Sequence, residues 1–189
     1  MTSYDAKPWL ALYDPDQPAT ITPDFTDALA MFRAARARAP DRPAIRYFDA
    51  TITYAELDDL SDRLAAHLTT HGFAPGDRFA IFLQNVPQFV IAILAAWKSG
   101  GIAVAINPMN RTREIATLFA DCTPKAVICH DDTYPTVFGP LDPTLRPTLV
   151  ITTSALTFQT RNDPRLFATA TPQTFPDTTD FAATIAPPP

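Results

Sequence analysis

Glycine is scarce in this chain of 189 residues: five, at positions 72, 76, 100, 101 and 139, and no Gly-x-Gly-x-x-Gly can be assembled from them. A dinucleotide or P-loop cradle built on consecutive free backbone N–H groups is thereby excluded within these residues. Cysteine is scarcer still, with two, so no disulfide framework exists and a reducing cytoplasm is the expected compartment. Neither sign of charge predominates. Fifteen basic against twenty acidic residues leave a net charge of -5, which gives no footprint for nucleic acid. A long apolar run is also missing. Residues 89–106 come nearest, but Lys98 and the Gly100-Gly101 pair split them into halves too short to span a bilayer. No basic stretch followed by an apolar one stands at the N-terminus, so no signal peptide is expected.

What is abundant is proline. The chain has 20, about double the average usage. Only Pro75, Pro87, Pro108 and Pro124 fall within residues 44–134, and the other sixteen crowd towards the two ends. Proline fixes φ and lacks an N–H donor, so dense proline argues against regular helix and central strand. The expected organisation is an N-terminal arm at 1–23, a compact unit at 24–152 and a Thr/Pro-rich tail or linker at 153–189.

Within the compact unit, residues 24–39 read as a helix ended by Pro40, with Leu29, Phe32 and Ala35 at helical spacing. Residues 44–48 and 51–53 read as a β-hairpin. Thr53 and Glu56 form a Thr-x-x-Glu capping box. Leu57, Leu60, Leu64 and Leu68 continue it as one apolar stripe, and Gly72 ends the helix. Residues 78–83, 102–106, 125–129 and 148–151 are short apolar runs that suit buried strands. Helices are expected between them, one capped by Asn85 and opened by Pro87, one over 111–121 with Ile115, Leu118 and Phe119 inward. Strands separated by helix-length segments mean right-handed crossovers and a largely parallel sheet. The fold class is α/β, three-layered, with a small antiparallel hairpin.

Candidate chemistry is thin. Lys98-Ser99 imitates the end of a nucleotide-binding loop without its glycine-rich cradle, and reads as a helix end. Cys122 and Cys129, seven apart, read as reduced core thiols rather than metal ligands. His67 and His71 lie four apart on one helix and could clip a metal. No third ligand stands nearby, and a solvated helix end is the preferred reading. His130-Asp131-Asp132 follows a strand at the edge where parallel sheets hold ligands, yet acidic residues there also simply begin a loop. No Gly-x-Ser-x-Gly turn is present to make a hydrolase.

Several segments, taken in order, carry a resemblance. Thr51-Ile52-Thr53-Tyr54-Ala55-Glu56-Leu57 before a leucine-striped helix is similar to the first core motif of the adenylate-forming superfamily of acyl-CoA synthetases, luciferases and peptide-synthetase adenylation domains. Gly76-Asp77-Arg78, Asn85-Val86-Pro87 and the stretch from Ala95-Ala96-Trp97-Lys98-Ser99-Gly100-Gly101 to Asn107-Pro108 resemble the next stretches. Ala39-Pro40-Asp41-Arg42-Pro43-Ala44 and Arg113-Glu114-Ile115 also stand in the family's order. The resemblance covers residues 24–152, and Asn107-Pro108 looks most like the fatty-acid and aromatic-acid CoA ligases.

That resemblance implies a parent enzyme that uses ATP and Mg²⁺ to convert a carboxylic acid, a fatty acid first of all, to an acyl-adenylate and pyrophosphate. Coenzyme A then displaces AMP. The phosphate loop ending Pro-Lys-Gly, the magnesium-binding Glu, the ribose-binding Asp and the catalytic lysine have no counterpart here, and Lys7, Lys98 and Lys125 match no family motif. No catalytic residue, metal ligand or bound cofactor is therefore assigned. Arg111 is the one cofactor-contact candidate, towards a phosphate of coenzyme A, because the position just after Asn107-Pro108 holds Met109. The competing reading makes Arg111 a solvated helix-start residue. The expected chain is an N-terminal scaffold portion, inactive alone, whose partner is the missing C-terminal portion of the same enzyme. Its parent is cytoplasmic, with peripheral membrane attachment left open. Apolar surface left by the missing neighbour predicts a homo-oligomer. Two alternatives remain: a naturally short, non-catalytic binding module of the same fold, and a flavodoxin-like nucleotide-binding protein.

Overall fold

The computed structural model describes residues 3–186. A short 3₁₀ turn, Pro8–Leu12, stands in the arm, and the first long helix is α1, Ala28–Arg38. It starts four residues later than the apolar spacing predicts, because the Asp27 carboxylate accepts the Ala30 N–H at 2.7 Å and caps it there. Strands β1, Pro43–Tyr47, and β2, Ala50–Thr53, form the antiparallel hairpin. Helix α2, Tyr54–Thr70, opens on the expected capping box. The Thr53 N–H donates to Glu56 at 2.7 Å, and the Glu56 N–H donates back to the Thr53 hydroxyl at 3.2 Å. Gly72 follows with φ of 83°, the left-handed residue that stops the helix without a Cβ penalty.

The main sheet then builds outwards from β3, Arg78–Phe82. Helix α3, Pro87–Lys98, leads to β4, Ile102–Ala105, and α4, Thr112–Cys122, leads to β5, Ala126–His130. β6, Leu149–Thr153, and β7, Thr179–Asp180, complete an all-parallel sheet of order β4-β3-β5-β6-β7. Two short helices, α5 (Pro164–Phe167) and α6 (Phe181–Thr184), flank β7 in sequence.

Alternation along the strands divides the core in two. Phe79, Ile81, Ile128 and Ile151 face α2 and α3, where Leu64, Leu68, Ile91 and Ala95 meet them. Ala80, Phe82, Val127 and Cys129 face the other way, onto Ile115 and Phe119 of α4 and onto Phe138. Each fully buried large apolar side chain contributes about 1.5–3 kcal/mol. Gly101 lets the two layers close: a Cβ there would strike the Phe73 ring and lie 2.9 Å from the Asp77 carbonyl.

Four details differ from the sequence reading. Asn85 does not cap α3. Val86 holds the N-cap position with no side-chain bond, and Asn85 is exposed beside it. β4 is an edge strand rather than a buried one, and Ile102 on it is 51% exposed. Leu118, expected inward, sits exposed on the outer side of α4, while Ile115 and Phe119 are covered. Finally, the stretch expected as a polar tail supplies β7, and Phe181 just after it is fully buried against the α2–α3 face. Two polar residues made β7 invisible to periodicity. Residues 187–189, part of that expected tail, lie outside the described residues.

Candidate functional site

β3 connects through α3 to β4 on one side of the sheet, and β4 returns through α4 to β5 on the other. The order of strands therefore reverses between β3 and β5, and a crevice opens where their carboxyl ends part. Two adjoining cavities of about 440 and 280 Å³ occupy this edge and share His130, Asp132, Ala155, Leu166 and Phe167. Gln84 and Asn85, just past β3, line the larger; Asp131 and Gln173 line the smaller.

The polar floor comes from the end of β5. His130 is buried, and burial holds its imidazole below the ordinary value against the opposing pull of Asp132 and Asp131, so it is neutral at pH 7. Asp131 is also buried, and its carboxylate accepts the N–H groups of Asp132 and Gln173, each at 2.9 Å. Burial nevertheless pushes the Asp131 carboxyl up. Asp132 is exposed and lines both cavities.

The opposite wall was not legible in the sequence. Tyr47 donates its hydroxyl hydrogen to the Ala155 carbonyl at 2.8 Å, which ties the hairpin to the loop after β6. Phe48 follows with φ of 52°, an uncommon conformation for a bulky side chain. Its ring meets Tyr47 edge-on at 4.8 Å and Phe167 at 5.2 Å. Asp49 completes the anchor: its carboxylate accepts the Thr160 N–H at 3.0 Å and the Thr160 hydroxyl at 2.5 Å. The hairpin expected over 44–53 was the only sequence signal available.

A separate open depression of about 540 Å³ lies between β2, the start of α2 and Phe158–Gln159–Thr160. Its two carboxylates, Asp49 and Glu56, are already committed to Thr160 and Thr53. It offers surface rather than reactive groups.

The other candidates are scattered. The Lys98 ammonium is buried between helices, 2.6 Å from Asp58 and 2.7 Å from Asp62, and 5.7 Å from the centre of the Phe32 ring. It fastens α1, α2 and α3, a role that the motif-like Lys98-Ser99 did not disclose. His67 and His71 stack at 4.0 Å, and His71 Nδ1 lies 2.8 Å from the His67 carbonyl. Burial, followed by the neighbouring His71, lowers the proton affinity of His67. Cys129 is fully buried and its thiol is pushed far up by burial; Cys122 is also raised. Among the described residues, no group of three or more His, Cys, Asp or Glu is placed to hold a metal ion. Arg111 is exposed at the start of α4, and its backbone N–H donates to Glu114 at 2.9 Å.

These residues do not fit ATP with its magnesium. No Lys or Arg lines either crevice cavity, the nearest ionisable groups are carboxyls and a neutral imidazole, and no glycine frees backbone donors there. No helix among the described residues is long and apolar enough to cross a membrane.

Comparison with known proteins agrees with the fold. The profile of AMP-binding enzymes matches residues 32–185. A long-chain-fatty-acid–CoA ligase of Yersinia pestis is 33% identical over 124 residues, 65% of this chain and 22% of that protein. The Bacillus subtilis ligase of the same name is 32% identical over 129 residues, 68% of this chain and 23% of that one. Among solved structures, the acetoacetyl-CoA synthetase of Streptomyces lividans superposes with a TM-score of 0.65 at 30% identity, over 82% of this chain and 24% of its own. The chain thus spans under a quarter of the length of these relatives. The N-terminal subdomain of Klebsiella oxytoca NpsA also matches, with a TM-score of 0.53 at 28% identity, covering 56% of this chain and 28% of that one. The chain belongs to the family of AMP-binding enzymes.

Proposed function

We propose that these residues form the N-terminal scaffold of an ATP-dependent acyl-CoA ligase acting on fatty acids. In that reaction a carboxylate oxygen attacks the α-phosphorus of ATP and pyrophosphate leaves. The coenzyme A thiol then attacks the acyl carbon, and AMP leaves with the bonding electron pair. The ligase names of the relatives in Yersinia pestis and Bacillus subtilis support the acid class. The observation that carries the scaffold role is the crevice itself: it stands at the reversal of strand order yet offers no cation to a phosphate. Exposed Ile102 on the open edge of β4, and Met109 beyond it, support the packing of a further part of the enzyme there. Arg111, exposed beside that edge, is the proposed contact for a coenzyme A phosphate.

Carboxylate-dependent exchange of pyrophosphate into ATP tests this reading. The 189-residue chain is expected to give no exchange above the blank with palmitate, octanoate or benzoate. A longer polypeptide carrying these residues at its start is expected to exchange with palmitate. Exchange by the short chain would overturn the inactivity, and exchange by the longer one only with an aromatic acid would overturn the acid class.

A further inference from the structure

We propose that the crevice at the β3–β5 reversal binds a small soluble organic ammonium ion, primary or quaternary. This goes beyond the ligase reaction and does not depend on it.

Two features of the wall and floor point to that chemistry. The first is the aromatic corner. Phe48 stands at 84° to Tyr47 and at 65° to Phe167, so the rings form a corner rather than a stack. All three rings line the larger cavity, and aromatic rings attract cations; desolvated pairs of this kind contribute about 2 kcal/mol. Phe48 is held in the corner from both neighbouring residues, by the Tyr47 bond to Ala155 and the Asp49 bonds to Thr160, in a backbone conformation that costs energy.

The second feature is the sign of the field. Both cavities carry Asp132, the smaller also carries Asp131, and neither is lined by Lys or Arg. An anion entering here meets carboxylates with no compensating cation. A monocation finds the reverse, because the Asp132 carboxylate and the aromatic rings line the same cavity. Gln84 and Asn85 supply amide oxygens that suit the N–H groups of a primary amine. The larger cavity, about 440 Å³, is within the range of small-ligand sites. The same field argues against a phosphate, a carboxylate or a phosphocholine headgroup, so the ligand is a soluble ammonium ion rather than a lipid.

The test is calorimetric titration of the full chain with benzyltrimethylammonium, with amide shift mapping and with benzoate as the anion of similar shape. Saturable binding with Kd of about 0.1–1 mM is expected, with shifts centred on Phe48, Asp132 and Phe167, and none for benzoate. Asp132→Asn, an exposed position, should weaken binding about tenfold, and Phe167→Ala about fivefold, with unchanged circular dichroism. Equal binding of benzoate, an Asp132→Asn variant that binds as well as the parent, shifts centred elsewhere, or no saturation would each overturn the proposal.

Discussion

The two ends of this chain have nearly the same composition and opposite structures. Both are rich in proline and threonine and poor in regular helix or strand. In the arm, none of residues 3–27 is buried, and the backbone bonds from Lys7 to Tyr4, Leu10 to Lys7 and Gln17 to Asp14 close locally. Beyond β6 the chain is fastened at widely spaced points. Asp49 holds Thr160, Asp131 holds the Gln173 N–H, Tyr134 donates to Asp177, and Arg63 donates to the Ile185 carbonyl. Phe181 inserts into the core between them. Proline density thus reports the lack of regular secondary structure, which both ends share. It does not report attachment, which needs one apolar anchor and a few polar partners supplied by distant residues.

The largest test of that contrast is the anchor itself. Phe181→Ala removes a fully buried ring and is expected to cost about 3–5 kcal/mol in denaturant unfolding, as core phenylalanine truncations do. Trp9→Ala in the arm is the matched aromatic truncation, and it should stay within about 0.5 kcal/mol of the parent. Equal effects at the two positions would erase the distinction between a docked end and an arm with no buried residue.

A smaller effect separates the polar ties from the anchor. The Tyr134 hydroxyl donates to Asp177 at 2.5 Å, and its proton affinity is pushed up to about 12, by burial first and by Asp177 next. Tyr134→Phe keeps the ring against Phe175 and removes that bond alone. The expected loss is about 1 kcal/mol, with faster amide exchange confined to residues 172–178. A uniform rise in exchange would mean that the segment and sheet open together.

Much of the fold was readable because its signals are local. The Thr53–Glu56 box lies within four residues, and β3 and β5 are apolar on both faces because helices cover both. β4 was misread for the same reason: Ile102 and Val104 look alike on an edge and in a centre, and only the strand order tells them apart. The candidate crevice was half legible. His130-Asp131-Asp132 could be placed at the carboxyl end of a strand, whereas its partners Phe48 and Phe167 are 119 residues apart in sequence and meet only through the folding of the docked end. Lys98 shows the converse: it was legible as a helix end, which it is, but its ties to two carboxylates on a neighbouring helix were not.

The smallest expected effect concerns pH, and only the docked end should show it. Leu166, Phe167 and Gln173 line the cavity in which His130 lies neutral and buried. Its folded proton affinity is below the unfolded value of 6.5, so the unfolded state takes up the proton first as pH falls. The stability that His130 contributes is therefore complete above that value and is lost as pH drops through it towards the folded value. Asp131, raised by burial, acts in the opposite sense, because its ionisation disfavours the fold as pH rises. The raw profile mixes the two, and comparison with His130→Gln isolates the imidazole. Between pH 7.5 and 5.5, after correction for intrinsic exchange, amide protection over 160–175 should fall in the parent and hold steadier in the variant, while the arm stays unprotected throughout. An identical response in both proteins would mean that the docked end does not rest on a neutral His130.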